Sequence, residues 1–305
     1  RAQFIRTIIG ELERVHSHLL WVGLAGHFIG YNTVFMWAWK YREPVLDIFE
    51  VISGNRNHYA MFKVGGVRRD IKDEAIPGLI KAIDEAEKFC SMLLRAVMDD
   101  PVIQARTKGI GVLKKKDAID LAVVGPTARA SGIAIDVRKD HPYAAYDRVV
   151  WERIVFEGGD VFAKAAVRLL ETIESIKIIR ACLKTMPPGP IDADVRDVGI
   201  GEGIGQHEAP RGEVFHFVKA NGSNYPERHK IRAPSFMNVP SFKRTVIGET
   251  IADAALITAA VDPCYCCTER MAVVEPGTEK IILSGEELVR LCQQKTEKIR
   301  ERSNL

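Results

Sequence analysis

Three cysteines fall within four positions near the carboxyl end, in the run Asp262-Pro263-Cys264-Tyr265-Cys266-Cys267-Thr268-Glu269-Arg270-Met271. Cys264 and Cys267 are spaced C-x-x-C, so one turn of chain can aim both sulfurs at a single ion. Thiolates are soft ligands that suit nickel, zinc, copper(I) and iron. One pair is half of a four-thiolate set, and the same spacing serves a redox dithiol or two incidental buried cysteines, so spacing alone leaves all three open. Asp262 and Arg270 bracket the pair with opposite charges. Other motifs carry less chemistry. His16 and His18 lie two apart on a predicted helix, about 200° around its axis, and cannot chelate one ion together. Val64-Gly65-Gly66-Val67 lacks the lysine–serine ending and preceding strand of a phosphate loop. Glycines at 199, 201, 203 and 205 read as a flexible loop, since no strand-turn-helix context surrounds them.

The elements that must position these residues are mostly helical. Ile5, Ile8, Leu12, Val15 and Leu19 recur at three and four residues and predict a helix over 1–30, with Leu20, Val22 and Leu24 widening its apolar face. A second helix is expected over 35–53, with Gly54 at its C-cap. A third, over 72–98 with Asp70 as cap, carries the stripe Ile80, Ile83, Ala86, Cys90, Leu93, Leu94 and Val97, which puts Cys90 in the core. Residues 125–143 are dense in glycine, proline and paired charges and read as irregular backbone, where sites often lie. One long helix, interrupted or restarted near Gly158-Gly159, is expected over 150–184; it carries Cys182 and stops at Met186-Pro187-Pro188. Residues 213–219 alternate as a strand with 229–232 as partner. A helix over 242–260 leads into Asp262, residues 271–282 look extended, and 286–302 form a charged terminal helix with Ser284 as cap. The fold class is α+β and mostly helical: a helical-bundle core with a small β-hairpin region near 210–235.

A chain of 305 residues accommodates one large domain or two ordinary ones. Its 47% hydrophobic and 27% charged residues are ordinary for a globular protein, and a net charge of +3 argues for neither nucleic acid nor an anionic membrane as partner. No apolar run approaches the roughly 18 residues of a membrane span. Six cysteines without regular spacing outside 264–267 read as a reducing compartment. The opening at Arg1, in mid-helix pattern, reads as a fragment or processed product.

Several blocks, in order, resemble one superfamily. They are Glu13-Arg14-Val15-His16-Ser17-His18-Leu19-Leu20, Gly54-Asn55-Arg56 through Gly65-Gly66-Val67-Arg68-Arg69-Asp70, Gly125-Pro126 to Tyr143, Glu208-Ala209-Pro210-Arg211-Gly212-Glu213, Lys230-Ile231-Arg232-Ala233-Pro234-Ser235-Phe236 and Asp262-Pro263-Cys264. The superfamily holds the large subunits of membrane-bound, energy-converting nickel–iron hydrogenases, formate hydrogenlyase included, and the 49-kilodalton quinone-site subunit of respiratory complex I. The Cys264–Cys267 pair is similar to the hydrogenase branch.

The resemblance implies a nickel–iron centre held by two C-x-x-C motifs, the first of them upstream of Arg1. Cys264 would be a terminal nickel ligand and Cys267 a bridge between nickel and iron, while Cys266 would only pack. Arg211 would overhang the open coordination position, Pro210 would shape the same wall, and Asp262 would be the acidic neighbour of the metal. Residues 1–270 would form the catalytic domain, and a maturation protease would cut after Arg270 to remove 271–305. Electrons would come through iron–sulfur clusters of a small partner subunit. Ion-translocating membrane subunits would hold the chain, peripherally, on the cytoplasmic face. A nickel-free relative that keeps its tail and reduces sulfur compounds or quinone is the alternative.

Overall fold

The computed structural model describes residues 1–303 apart from 196, 198 and 269–271. Two compact units divide the chain, Arg1–Pro263 and Cys264–Leu305. The cysteine pair therefore opens the second unit, seven residues before the domain boundary expected at 270/271.

In the first unit, α1 (Ala2–Phe28) and α2 (Asn32–Ser53) are followed by a two-strand hairpin, β1 (Phe62–Lys63) and β2 (Gly66–Val67). Then come α3 (Ile76–Asp99), α4 (Pro101–Thr107), α5 (Lys115–Asp120), α6 (Gly125–Ala130), α7 (Val137–Asp140) and α8 (Val161–Thr185). Three antiparallel strands follow, β3 (Ile200–Ala209), β4 (Gly212–Asn221) and β5 (Arg228–Arg232), then α9 (Pro234–Asn238), α10 (Phe242–Thr245) and α11 (Ile251–Ala259). The second unit has a 3-10 turn at Tyr265–Thr268, a small hairpin of β6 (Val273–Val274) and β7 (Ile281–Leu283), and α12 (Gly285–Ser303). Ser284 and Glu287 form a reciprocal cap on α12: Glu287 N–H donates to Ser284 Oγ and Ser284 N–H to Glu287 Oε2.

The core of the first unit is a bundle in which α1 packs on α2 and α8, and α3 packs on α8 and α2. Ile5, Ile8, Leu12, Val15 and Leu19 are all buried, each contributing about 1.5–3 kcal/mol on removal from water. Cys90 and Cys182 are buried in the same core. Gly54 closes α2 in the left-handed region, with φ +81°.

Several elements differ from expectation. Asp70 does not cap α3; Arg1 Nε donates to it at 2.6 Å, and a 3-10 turn over Asp73–Ala75 precedes the helix. α8 starts at Val161, because Asp160 accepts from Ala163 N–H at 2.7 Å and sets the first turn there; residues 150–160 are not helical. Within 125–143, α6 and α7 interrupt the irregular backbone. The 242–260 segment is two helices, since Thr250 caps α11 through Asp253 N–H. The glycine run is a strand, β3, paired residue for residue with β4 from Ile200↔Asn221 to Ala209↔Gly212. Its ladder satisfies the backbone, so its lack of side chains does not forbid a strand. Cys266 is exposed, not packed, because its side chain leaves the 3-10 turn on the solvent side. The expected cleavage point at Arg270–Met271 lies outside the described residues.

Candidate active site

Pro210 and Arg211 form the turn that joins β3 to β4. Gly212 takes φ +126°, a conformation L side chains rarely adopt, and Gly125 at the start of α6 packs so close that an added methyl would overlap the Arg211 carbonyl. Buried Asn238 bolts the turn down: its Nδ2 donates to Arg211 O at 3.2 Å, while its Oδ1 accepts from Val124 N–H at 2.9 Å. Arg14 holds the strand end from the other side, donating from Nη2 to Glu208 O at 2.6 Å and from Nη1 to Ala209 O at 3.1 Å.

Arg211 is thereby presented to Asp262. Its Nε donates to Asp262 O at 2.8 Å, and its Nη2 lies 3.0 Å from Asp262 Oδ1. Asp262 follows α11 in the left-handed region, φ +57°, and is 8% exposed. Its Oδ2 is buried without a hydrogen-bond partner among the described residues. Trp21 of α1 ties the end of α11 to the bundle through an indole N–H to Ala259 O bond of 2.7 Å.

Behind the turn lies a buried ionic layer. On α1, Thr7, Glu11, Arg14 and His18 recur at spacings of four, three and four; on α8, Lys164, Arg168, Glu171 and Ser175 do the same. All eight are buried. Arg138 Nη1, Tyr146 Oη and Ser175 Oγ donate to Glu11, at 3.0, 2.5 and 2.5 Å. Burial alone would raise the Glu11 carboxyl, but Arg138, Arg14 and these hydroxyls hold it well below the carboxylate range. Arg129 bridges Glu171 at 2.6 Å and Glu208 at 2.8 Å, and His18 Nε2 lies 3.1 Å from Glu171. Burial outweighs Glu171 and pushes His18 down to about 4, so it is neutral at pH 7.

Two cations of α8 have fewer partners. Arg168 stacks over Trp21 at 4.3 Å and donates from Nη1 to Lys164 O, while its Nε and Nη2 have no hydrogen-bond partner among the described residues. Burial lowers it to about 10, opposed chiefly by the charge of Asp262. Lys164 donates to Gly111 O at 2.9 Å, and burial with nearby Arg168 brings it down to about 7. Neither residue stood out in the sequence. The signal was the four-three-four recurrence of polar side chains, the spacing of a core stripe written in charged residues.

In the second unit, Cys264 and Cys267 share one turn, with Cys267 N–H donating to Cys264 O at 3.0 Å; both are half-buried. One backbone turn thus contains both cysteines. Among the described residues no cluster of three or more histidine, cysteine, aspartate or glutamate side chains is placed to hold a metal. By ligand type, two thiols are half of a four-thiolate set.

Residues 29–202 and 194–270 match the family model described as respiratory-chain NADH dehydrogenase, 49 Kd subunit. The chain is 38% identical to the membrane-bound hydrogenase subunit alpha of Pyrococcus furiosus, over 98% of its own length and 74% of that protein's. It is 40% identical to the carbon monoxide-induced hydrogenase of Rhodospirillum rubrum, over 88% and 75%. It is also similar to a chain in the structure of the membrane-bound sulfane sulfur reductase, an archaeal respiratory membrane complex. There the TM-score is 0.81 and the identity 32%, covering 87% of this chain and 74% of that one.

Proposed function

Because the chain belongs to the family of the respiratory-chain NADH dehydrogenase 49 Kd subunit, a family of oxidoreductase components, we propose that it is the catalytic subunit of a membrane-associated nickel–iron hydrogenase complex that interconverts protons and dihydrogen. The observation that carries this reading is the Arg211–Asp262 pair, fixed from both sides, two residues ahead of the Cys264–Cys267 thiols in the chain. When bound through Cys264 and Cys267, a nickel–iron centre supplies a place where dihydrogen can be split heterolytically. With such a centre bound, the Cys264 thiolate would be the base placed to hold a proton. Arg211 is permanently protonated, so it acts as an oriented positive charge and donor, not as a base. Asp262 holds that guanidinium through Oδ1 and its own carbonyl and keeps Oδ2 for a further donor. Pro210 shapes the wall beside Arg211.

No helix among the described residues is long and apolar enough to cross a membrane. In this reading the chain is peripheral, on the cytoplasmic face, fed by iron–sulfur clusters of a small partner subunit and held by ion-translocating membrane subunits. Processing would remove 271–305 after Arg270. Elemental analysis of the full-length protein in its complex tests the reading: roughly one nickel and one iron per chain are expected, with both lost in Cys264→Ser and Cys267→Ser. The same variants are expected to abolish viologen-linked hydrogen evolution. The likeness to the sulfane sulfur reductase supports a second reading, a nickel-free subunit reducing sulfur compounds or quinone. A complex that reduces polysulfide and contains no nickel would establish the second reading over the first.

A further inference from the structure

The sheet that ends in the Pro210–Arg211 turn carries two histidines side by side. His216 Nδ1 of β4 lies 2.8 Å from His229 Nε2 of β5, with ring centroids 5.1 Å apart and planes tilted by 32°. The strand register explains the meeting. Gly205, His216 and Ile231 form one cross-strand row, and Gly203, Val218 and His229 the next. Residues directly opposite share a face, so the imidazoles are diagonal neighbours on the same surface. The charged residues Glu202, Lys219, Arg228, Lys230 and Arg232 alternate onto the other face. Gly203 and Gly205 add no bulk beside the rings; a Cβ built at either would meet nothing within 4 Å. His229 is exposed and His216 half-buried.

We propose that His216 and His229 form a two-imidazole chelate for a divalent transition-metal ion of tetragonal preference, Ni²⁺ or Cu²⁺, with water in its remaining positions. Imidazole nitrogen suits both ions. Metal–nitrogen bonds of about 2.0–2.1 Å meeting at a right angle separate the two nitrogens by about 2.9 Å, while a tetrahedral angle spreads them to about 3.3 Å. The observed 2.8 Å matches the first separation, and binding the ion would replace the hydrogen bond between the two rings. In these two rows the residues beside the pair are Gly203, Gly205, Val218 and Ile231, none of them charged. This site is separate from the Arg211–Asp262 pair: four residues of β4 lie between Arg211 and His216, five steps of strand rise or about 17 Å.

The test is calorimetric titration of the full chain at pH 7.5 with NiCl₂, CuCl₂ and ZnCl₂ separately, in a Cys264→Ser, Cys267→Ser background that removes the competing thiols. One ion per chain is expected, with nickel and copper held more tightly than zinc. His216→Gln and His229→Gln are each expected to weaken nickel at least tenfold. The copper-loaded parent should show nitrogen hyperfine structure in its paramagnetic resonance spectrum that the His229→Gln form lacks. His229 is exposed on an edge strand, so an unchanged circular-dichroism melt of His229→Gln shows that the fold survives. Nickel affinity unchanged in a folded His229→Gln chain, or zinc bound more tightly than nickel, overturns the proposal.

Discussion

Glu11 and Asp262 are both carboxylates in the same unit, each facing arginine, yet their surroundings are opposite. Glu11 is fully buried and receives hydrogen bonds from Arg138, Ser175 and Tyr146 as well as Arg14. Asp262 receives its hydrogen bonds from Arg211 by one carboxylate oxygen and its carbonyl, and leaves Oδ2 with none among the described residues. A saturated buried network has no bonding capacity to offer a reactant, but its loss leaves stranded charge. A carboxylate with capacity to spare, beside a pinned guanidinium, can change partners during a reaction. The first pattern holds α1 and α8 together; the second marks where chemistry is to be sought.

Four measurements would break or sharpen this contrast. Glu11→Gln should cost about 3–5 kcal/mol of unfolding free energy, because it removes the buried countercharge of Arg14 and one of the two that Arg138 has, Asp136 being the other. A loss below about 1 kcal/mol in urea titration would mean that the network tolerates a gap. Arg211→Lys should lower turnover about 100-fold, equivalent to about 2.7 kcal/mol in the barrier, while unfolding shifts by no more than about 0.5 kcal/mol. A large loss of stability instead would move Arg211 into the structural class. Lys164→Met should stabilise the chain by about 1–3 kcal/mol at pH 7. Its folded pKa of about 7 lies below its ordinary 10.5, so the unfolded state binds a proton that the native state refuses, and stability falls as pH drops from 10.5 to 7. The gain from methionine should therefore shrink toward pH 10, as thermal melts would show. The smallest effect concerns acid. His18 and His207 are both lowered from 6.5 to about 4, mainly by burial. Each makes stability fall between those limits as pH decreases, by up to about 1.4 kcal/mol per pH unit. His207→Gln should flatten that slope by one such increment, and an unchanged slope would show that its ring is protonated in the native state.

The bundle could be read from spacing because its helices are long and their apolar residues recur locally. Gly54 and Ser284 were readable for the same reason: a cap is a short-range device. β3 was not. Its glycines give no pattern, and its strand character comes from β4, a partner that the sequence does not announce. The ionic layer was hidden by its spacing. Thr7, Glu11, Arg14 and His18 interleave with Ile5, Ile8, Leu12, Val15 and Leu19, and only a helix surrounded on all sides buries both sets. At the candidate site, Arg211 and Asp262 could be named from resemblance, but 51 residues separate them, and their contact depends on Asn238, Arg14 and Trp21. The cysteine pair depends on no such distant contact, because positions three apart fall within one turn of backbone.

The contact between Gly125 and the Arg211–Gly212 backbone bears on how this protein could be re-engineered. With no room for even one carbon there, the hairpin and the start of α6 behave as a single interlocked part. A designer who grafts the hairpin onto another scaffold without that second glycine would move the arginine off target before changing any group that reacts.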